Sequence, residues 1–188
     1  IQRIYRKIYY FYLEKKYHKN SEKRILNIDW KSKNFNRIAL INYLLNKYQY
    51  PNYLEIGCAS NDLFDSLPIS QKTGVDPHSG GNIRSTSDDF FKNNESSFDI
   101  IFIDGLHTYD QVRKDILNSI NTIKKDGWIA LHDMLPRNWK EQHIPYLGGS
   151  WTGDIWKVAF EIIKTEGLDF KIISIDHGVG IIKVKNKN

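Results

Sequence analysis

The stretch FDIIFIDGLHTYDQVRKDILNSINTIKKDGWIALHDM, from Phe98 to Met134, constrains this chain more than any other. An apolar run, Ile100 to Ile103, stops at Asp104 and Gly105. Val112, Ile116, Ile120 and Ile123 then repeat at helical spacing, with Lys125-Asp126-Gly127 as a stop signal. A second apolar run, Trp128 to Leu131, stops at His132 and Asp133. Continuous apolar runs on either side of a helix predict two parallel strands buried on both faces. Their carboxyl ends bring Asp104, His107, His132 and Asp133 to one edge of a sheet, where ligands bind in open α/β folds. Two carboxylates and two imidazoles there point to a site able to hold a divalent cation.

The remaining elements extend that unit. An amphipathic helix is predicted over 34–48 from Phe35, Ile38, Ile41, Leu45 and Tyr48, and Pro51-Asn52 ends it. Strands are predicted over 53–56, 74–76 and 98–103, with short helices over 61–67 and from Asp88. Residues 135–153 form a long loop, and Trp156, Ala159, Phe160 and Ile163 mark a further helix. Strands over 170–175 and 180–184 flank a turn at Asp176-His177-Gly178. The expected fold is α/β: a Rossmann-like doubly wound sheet, mostly parallel, with an antiparallel C-terminal hairpin and an N-terminal amphipathic helix.

Charge divides the chain in two. Residues 1–24 carry eight Lys and Arg against Glu14 and Glu22, a net +6, while the whole chain carries +5. The body is therefore close to neutral and is not read as a nucleic-acid binder. Within the basic segment Ile1, Ile4, Tyr5, Ile8, Phe11 and Tyr12 fall at helical spacing. This helix packs on its own domain or a partner subunit as in a homodimer, lies on an anionic membrane surface through residues 1–24, or acts as a lid. The expected division is a basic, aromatic helical extension over 1–30 and a ligand-binding domain over 31–188. No run of 18 apolar residues occurs, and the single Cys58 fits a reducing compartment, taken as the cytoplasm.

At the first strand-to-helix turn, in YLEIGCASND, Gly57 permits a sharp turn and close backbone approach. Asp76 follows 19 residues later, near the spacing at which an acid meets ribose hydroxyls. The pyrophosphate fingerprint G-x-G-x-x-G is absent, since Ala59 and Asn61 occupy that turn. An adenosine ligand without phosphates would need less exposed backbone. The alternative is that Gly57 and Asp76 are strand-end punctuation.

Taken together, YLEIG, GVDP, TSDDFF, FDIIFIDGLHTYDQVRKD, GWIALHDMLP and GSWTGDIWK resemble class I S-adenosylmethionine-dependent methyltransferases. Within that class the chain looks most like the metal-dependent macrocin-type and sugar O-methyltransferases, over about residues 53–184. The resemblance implies that Glu55 and Gly57 meet the methionine part of S-adenosylmethionine, Asp76 the ribose, and Ser87 and Asp88 the adenine. It implies that Asp104 and Asp133 ligate Mg²⁺, with His132 as a third ligand or a supporting group. Asp104 also borders the cofactor and the reacting centre, and His107 is the general base.

The chemistry suits these residues. Methyl transfer to a hydroxyl needs alignment and removal of a proton, which an imidazole titrating near neutrality accepts. Mg²⁺ prefers oxygen ligands, which Asp104 and Asp133 offer; His132 suits a transition metal better. Asp110 and Asp115 are expected to face solvent or cap their helix, and His78 and His143 to lie in exposed loops. Trp151 and Trp156 would fill core or wall the pocket. Arg137, Trp139 and Lys140 would meet an anionic or sugar substrate. The leading expectation is Mg²⁺-assisted O-methylation of a small molecule, a sugar or glycan precursor. Alternatives are metal-independent methylation with His107 as base, a non-catalytic adenosine-binding interaction module, and, more distantly, a nicotinamide oxidoreductase.

Overall fold

The computed structural model describes residues 2–185. Ile1, which the periodicity placed on the first helix, lies outside them. The chain forms a six-stranded sheet in the order β2-β1-β3-β4-β6-β5. The strands are β1 (Tyr53–Ile56), β2 (Lys72–Val75), β3 (Phe98–Ile103), β4 (Ile123–Leu131), β5 (Leu168–Ile173) and β6 (Val179–Val184). The first four are parallel, and β6 runs antiparallel to both β4 and β5. Helices α1 (Gln2–Tyr17), α2 (Arg37–Leu45), α3 (Asp62–Ser66), α4 (Ser87–Asn93), α5 (Tyr109–Thr122) and α6 (Ala159–Ile162) complete the fold.

Side chains alternate across each strand, so the sheet builds a core on each face. Leu54, Ile56, Ile101, Ile103, Ile129 and Leu131 pack beneath α5 and the 155–162 segment. Tyr53, Ile100, Phe102 and Ala130 pack against α2 and α3. Two buried faces explain why β1 and β3 are buried at every position.

Strand register positions the site. Ile56 pairs with Val75 on one side and Ile103 on the other, and Ile103 pairs with Leu131. The residue after each strand, Gly57, Asp76, Asp104 and His132, therefore emerges level along one edge. Backbone bonds carry the ladder one step further, from Gly57 to Val75, Asp104 to Ile56 and His132 to Ile103.

Several expectations need correction. Helix α2 starts at Arg37, where Asn36 caps it by accepting from the Ala39 amide, and not at residue 34. Helix α5 ends at Thr122, ahead of the expected stop, because Ile123 is buried and already pairs with Phe98. Lys125-Asp126-Gly127 lies instead within an irregular start of β4, with Asp126 at φ 62 and a register shift against β3. In the 155–162 segment the buried face is Ile155, Val158 and Ile162; Phe160 and Ile163 face outward. Its first turn is 3₁₀, which rotates the pattern away from a 3.6-residue reading.

Candidate active site

The edge of the sheet holds two cavities. The larger, about 540 Å³, is lined by Gly57, Asp76, Ser87, Asp88, Asp104 and Gln111 among others. The smaller, about 200 Å³, is lined by Arg37, Glu55, Asp104, His107, His132 and Asp133 among others. Gly57, Asp104 and His107 border both.

Gly57 has a reason within the fold. At φ 85, a Cβ there would lie 2.2 Å from the Asp104 carbonyl oxygen and 2.6 Å from the Gly105 Cα. Only glycine lets the ends of β1 and β3 approach so closely. The turn that follows keeps glycine-like geometry without glycine, with Ala59 at φ 45 and Asn61 at φ 68. The Asn61 side chain tolerates this conformation and accepts a 2.6 Å bond from the Gly81 amide.

Asp76 organises that turn. One carboxylate oxygen accepts from the Cys58 and Ala59 amides at 3.1 and 3.0 Å. The other accepts from the His78 and Ser79 amides, both at 2.8 Å. Burial opposes its charge, yet the four amides hold its pKa below the ordinary value. Nearby, Gln111 donates to Ser87 Oγ at 3.1 Å, Asp88 Oδ1 at 2.9 Å and Asp115 Oδ1 at 3.1 Å. Asp115, expected at the surface, is fully buried. Burial pushes its pKa up to about 6. The helical spacing that suggested an exposed acid instead points it inward beside Gln111 and Ser119, where Gly105 leaves room.

On the other side lies the acid and imidazole cluster. Ligand atoms of Asp104, His107 and Asp133 lie within 4.8 Å of one another. His107 Nδ1 is 3.1 Å from Asp133 Oδ2, and its Nε2 is 3.5 Å from Asp104 Oδ1. Asp133 reaches the cluster through a left-handed backbone, φ 59, which breaks the alternation of β4. His132 is not within that trio; it stands behind both carboxylates, with Nδ1 3.2 Å from Asp104 Oδ1 and 3.5 Å from Asp133 Oδ1. Its Nε2 faces Asp176 at 3.7 Å.

The electrostatics follow from crowding. Burial would raise the Asp104 pKa, but the charge of His132 and hydrogen bonds from His107 and His132 lower it. Asp133 moves the other way: burial and the Asp104 charge raise it to about 6 against the pull of both histidines. Burial likewise opposes protonation of His107, while Asp104 and Asp133 favour it and prevail. Glu55, buried and accepting a 2.7 Å bond from the Tyr53 hydroxyl, is pushed up to about 7 by burial. A buried carboxylate whose charge is opposed by burial and by a second carboxylate beside it is what a cation relieves, so these residues fit a divalent ion.

The segment over 151–154 clamps His107 and the start of α5. Trp151 stacks on the His107 ring at 5.3 Å with an interplanar angle of 16°. A Cβ on Gly153, at φ 62, would collide with the His107 carbonyl. Asp154 accepts from the Tyr109 amide at 2.7 Å and so caps α5, whose Thr108 provides no side-chain cap. The loop cations expected to meet substrate are engaged within the chain: Arg137 with Glu141 and Lys140 with Glu14. His78 is exposed and His143 half-buried.

Sequence reasoning missed Gln111, Asp176 and Arg37. Arg37 donates to Asp176 at 2.7 Å, and its buried Nε, without a hydrogen-bond partner among the described residues, belongs to a side chain lining the smaller cavity. Nothing local marks these residues, because Arg37 and Asp176 are 139 positions apart. No helix among the described residues is long and apolar enough to cross a membrane.

A family model described as a methyltransferase domain matches residues 11–134. No curated protein matches the chain. Among solved structures, the SAH-bound methyltransferase PaMTH1 of Podospora anserina is 15% identical, with 80% of this chain and 78% of that chain covered and a TM-score of 0.60. A cofactor-bound protein from MTB is 13% identical, with 87% and 84% covered and a TM-score of 0.62. The MycE methyltransferase of the mycinamycin biosynthetic pathway, in complex with Mg, SAH and mycinamycin VI, is 18% identical with a TM-score of 0.51. There 73% of this chain but only 45% of that one is covered. At these identities the likeness is one of fold.

Proposed function

The chain belongs to the methyltransferase-domain family and is a class I S-adenosylmethionine-dependent methyltransferase, and from that premise we propose that it methylates a hydroxyl of a small molecule with Mg²⁺ assistance. We take the acceptor to be a sugar or glycan precursor. The observation that carries this reading is the meeting of Asp104, His107 and Asp133 within 4.8 Å beside a 540 Å³ cavity. The complex of MycE with Mg, SAH and mycinamycin VI supports it at the level of a shared fold.

S-adenosylmethionine supplies an activated methyl group, and the larger cavity is assigned to it. Ser87 and Asp88 border the adenine end, held in place by Gln111. Asp76 is assigned to the ribose end through the loop it organises, its carboxylate oxygens being taken by the amides of residues 58, 59, 78 and 79. Gly57 and Glu55 border the methionine end. Mg²⁺ would supply Lewis acidity toward an acceptor hydroxyl, and Asp104 and Asp133 would hold it. His132 orients both carboxylates from behind, a role in which partners commonly change metal affinity 10–100-fold.

His107 acts as general base. Its Nδ1 faces Asp133 Oδ2 at 3.1 Å and the Trp151 carbonyl at 3.2 Å, so Nδ1 carries the proton. Nε2 lies 3.5 Å from Asp104 Oδ1, and with Asp104 engaged in holding Mg²⁺ it would be free to accept the hydroxyl proton. Trp151 fixes the ring plane and keeps water off one face. We divide the chain into an extension over 1–30 and the cofactor-binding domain over 31–188, and assign it to the cytoplasm from its lone buried Cys58.

The test is calorimetric titration of S-adenosylmethionine with Mg²⁺ and again with EDTA. Cofactor binding in both, with a separate Mg²⁺ event lost in Asp104→Ala, is the expected result. Cofactor binding without any Mg²⁺ event would remove the metal and leave His107 acting alone. Absence of cofactor binding in both conditions would favour a non-catalytic module.

A further inference from the structure

Helix α1 is docked on one side and bare on the other. Its inner side buries Leu13 and pairs Glu14 with Lys140 at 2.6 Å. Tyr10 lies against Gly148 and meets the Tyr146 ring at 5.1 Å, and Tyr17 meets His143 at 4.8 Å. The helix is thereby fixed to the 140–148 loop. Its outer side presents Ile4, Tyr5, Ile8, Tyr9, Phe11 and Tyr12, each between 57% and 68% exposed. A soluble monomer seldom leaves so many large side chains contiguous and uncovered.

The charge around this face narrows what can cover it. Arg3, Arg6, Lys7, Lys15 and Lys16 are on the same helix, and all but Glu14 and Glu22 of the charged side chains in residues 1–24 are basic, a net +6. Glu14 is already spent on Lys140. Packing this face on a second copy would bring two +6 segments together, which like charges oppose. An anionic surface with an apolar interior satisfies both features at once, and tyrosines suit its interfacial layer.

We propose that α1 docks the protein on an anionic lipid bilayer, with Ile4, Ile8 and Phe11 buried at the headgroup boundary and the lysines and arginines among the headgroups. The helix bears on the active site through a run of ring contacts. Tyr10 touches Tyr146, Tyr146 meets Trp151 at 5.4 Å, and Trp151 stacks on His107. Docking would thus hold the catalytic edge at a fixed place near the membrane. The inference does not depend on the acceptor or the metal.

The full chain is sedimented with vesicles of phosphatidylcholine containing phosphatidylglycerol, and with pure phosphatidylcholine vesicles. Binding to the anionic vesicles only, weakened by salt, is expected. Ile8→Asp combined with Phe11→Asp should weaken it at least about tenfold, through lost apolar burial and added negative charge. Both side chains are exposed, so an unchanged melting temperature will show that the variant folds. Arg3→Glu with Lys7→Glu should also weaken binding. Three outcomes would overturn the proposal: no sedimentation with anionic vesicles, binding indifferent to Ile8→Asp and Phe11→Asp, or a dimer in ultracentrifugation that these substitutions dissolve while vesicles remain unbound.

Discussion

Asp76 follows β2 and Asp133 lies just past β4, two parallel strands of one sheet with β1 and β3 between them, yet their surroundings are opposite. Asp76 receives four backbone amides, and its charge is stabilised in place. Asp133 has Asp104 beside it and His107 and His132 as its ion-pair partners, and burial pushes it up to about 6. Four amides use the lone pairs of a carboxylate, so Asp76 organises a loop. Asp104 is held charged by two histidines, whereas Asp133, crowded beside it, remains under-compensated, the condition in which a cation adds most. Two strand-end acids, alike in sequence, thus divide into a scaffold and a member of the proposed cation site according to who donates to them.

Breaking the reactive side should have the largest effect. Asp104→Asn or Asp133→Asn is expected to lower kcat/KM by on the order of 10³-fold, several kcal/mol of transition-state stabilisation. The response to added Mg²⁺ should vanish while circular dichroism stays unchanged. His107→Gln should follow, with a loss of about 10²-fold and a kcat profile that no longer rises across neutral pH. Retained activity in either set would return the cluster to a structural role.

Breaking the scaffold side should act through binding and stability. Asp76→Asn keeps one acceptor but turns two amides toward a donor, costing about 1–3 kcal/mol. Calorimetry should show cofactor affinity down roughly tenfold, with kcat affected less than KM. The sign with pH is fixed as well: the folded pKa of Asp76 is lowered, so its stabilisation is present above the unfolded value and is lost as pH falls.

Asp115 gives the opposite sign and sharpens the contrast. Its folded pKa, about 6, lies above the ordinary 3.8. Its contribution is whole below the unfolded value and is lost as pH rises through about 6, on the order of 2–3 kcal/mol in all. Denaturation of Asp115→Asn should lack that decline. The smallest effect belongs to Ala59, whose amide serves Asp76 from φ 45. Ala59→Gly should relieve a left-handed penalty and raise stability by about 0.5–1 kcal/mol, a few degrees in melting temperature.

Much of this arrangement was legible in the chain. Short apolar runs ending at Asp104 and at His132-Asp133 indicate buried parallel strands, because a run of that length without polar alternation fits a strand covered on both faces. Parallel strands then deliver their trailing residues to one edge, so the sequence alone groups His107 with the acids. Gly57 was legible as a turn but not as the contact of β1 with β3. Tertiary structure alone decided who touches whom across long separations. It set His132 behind the carboxylates instead of among the three grouped ligand atoms, and brought Asp176 and Arg37 to it. It buried Asp115, saturated Asp76 with amides and stacked Trp151 on His107. Periodicity reports which face of an element is buried, a local property. Partners, protonation and which acid remains uncompensated depend on groups that only the folded chain assembles.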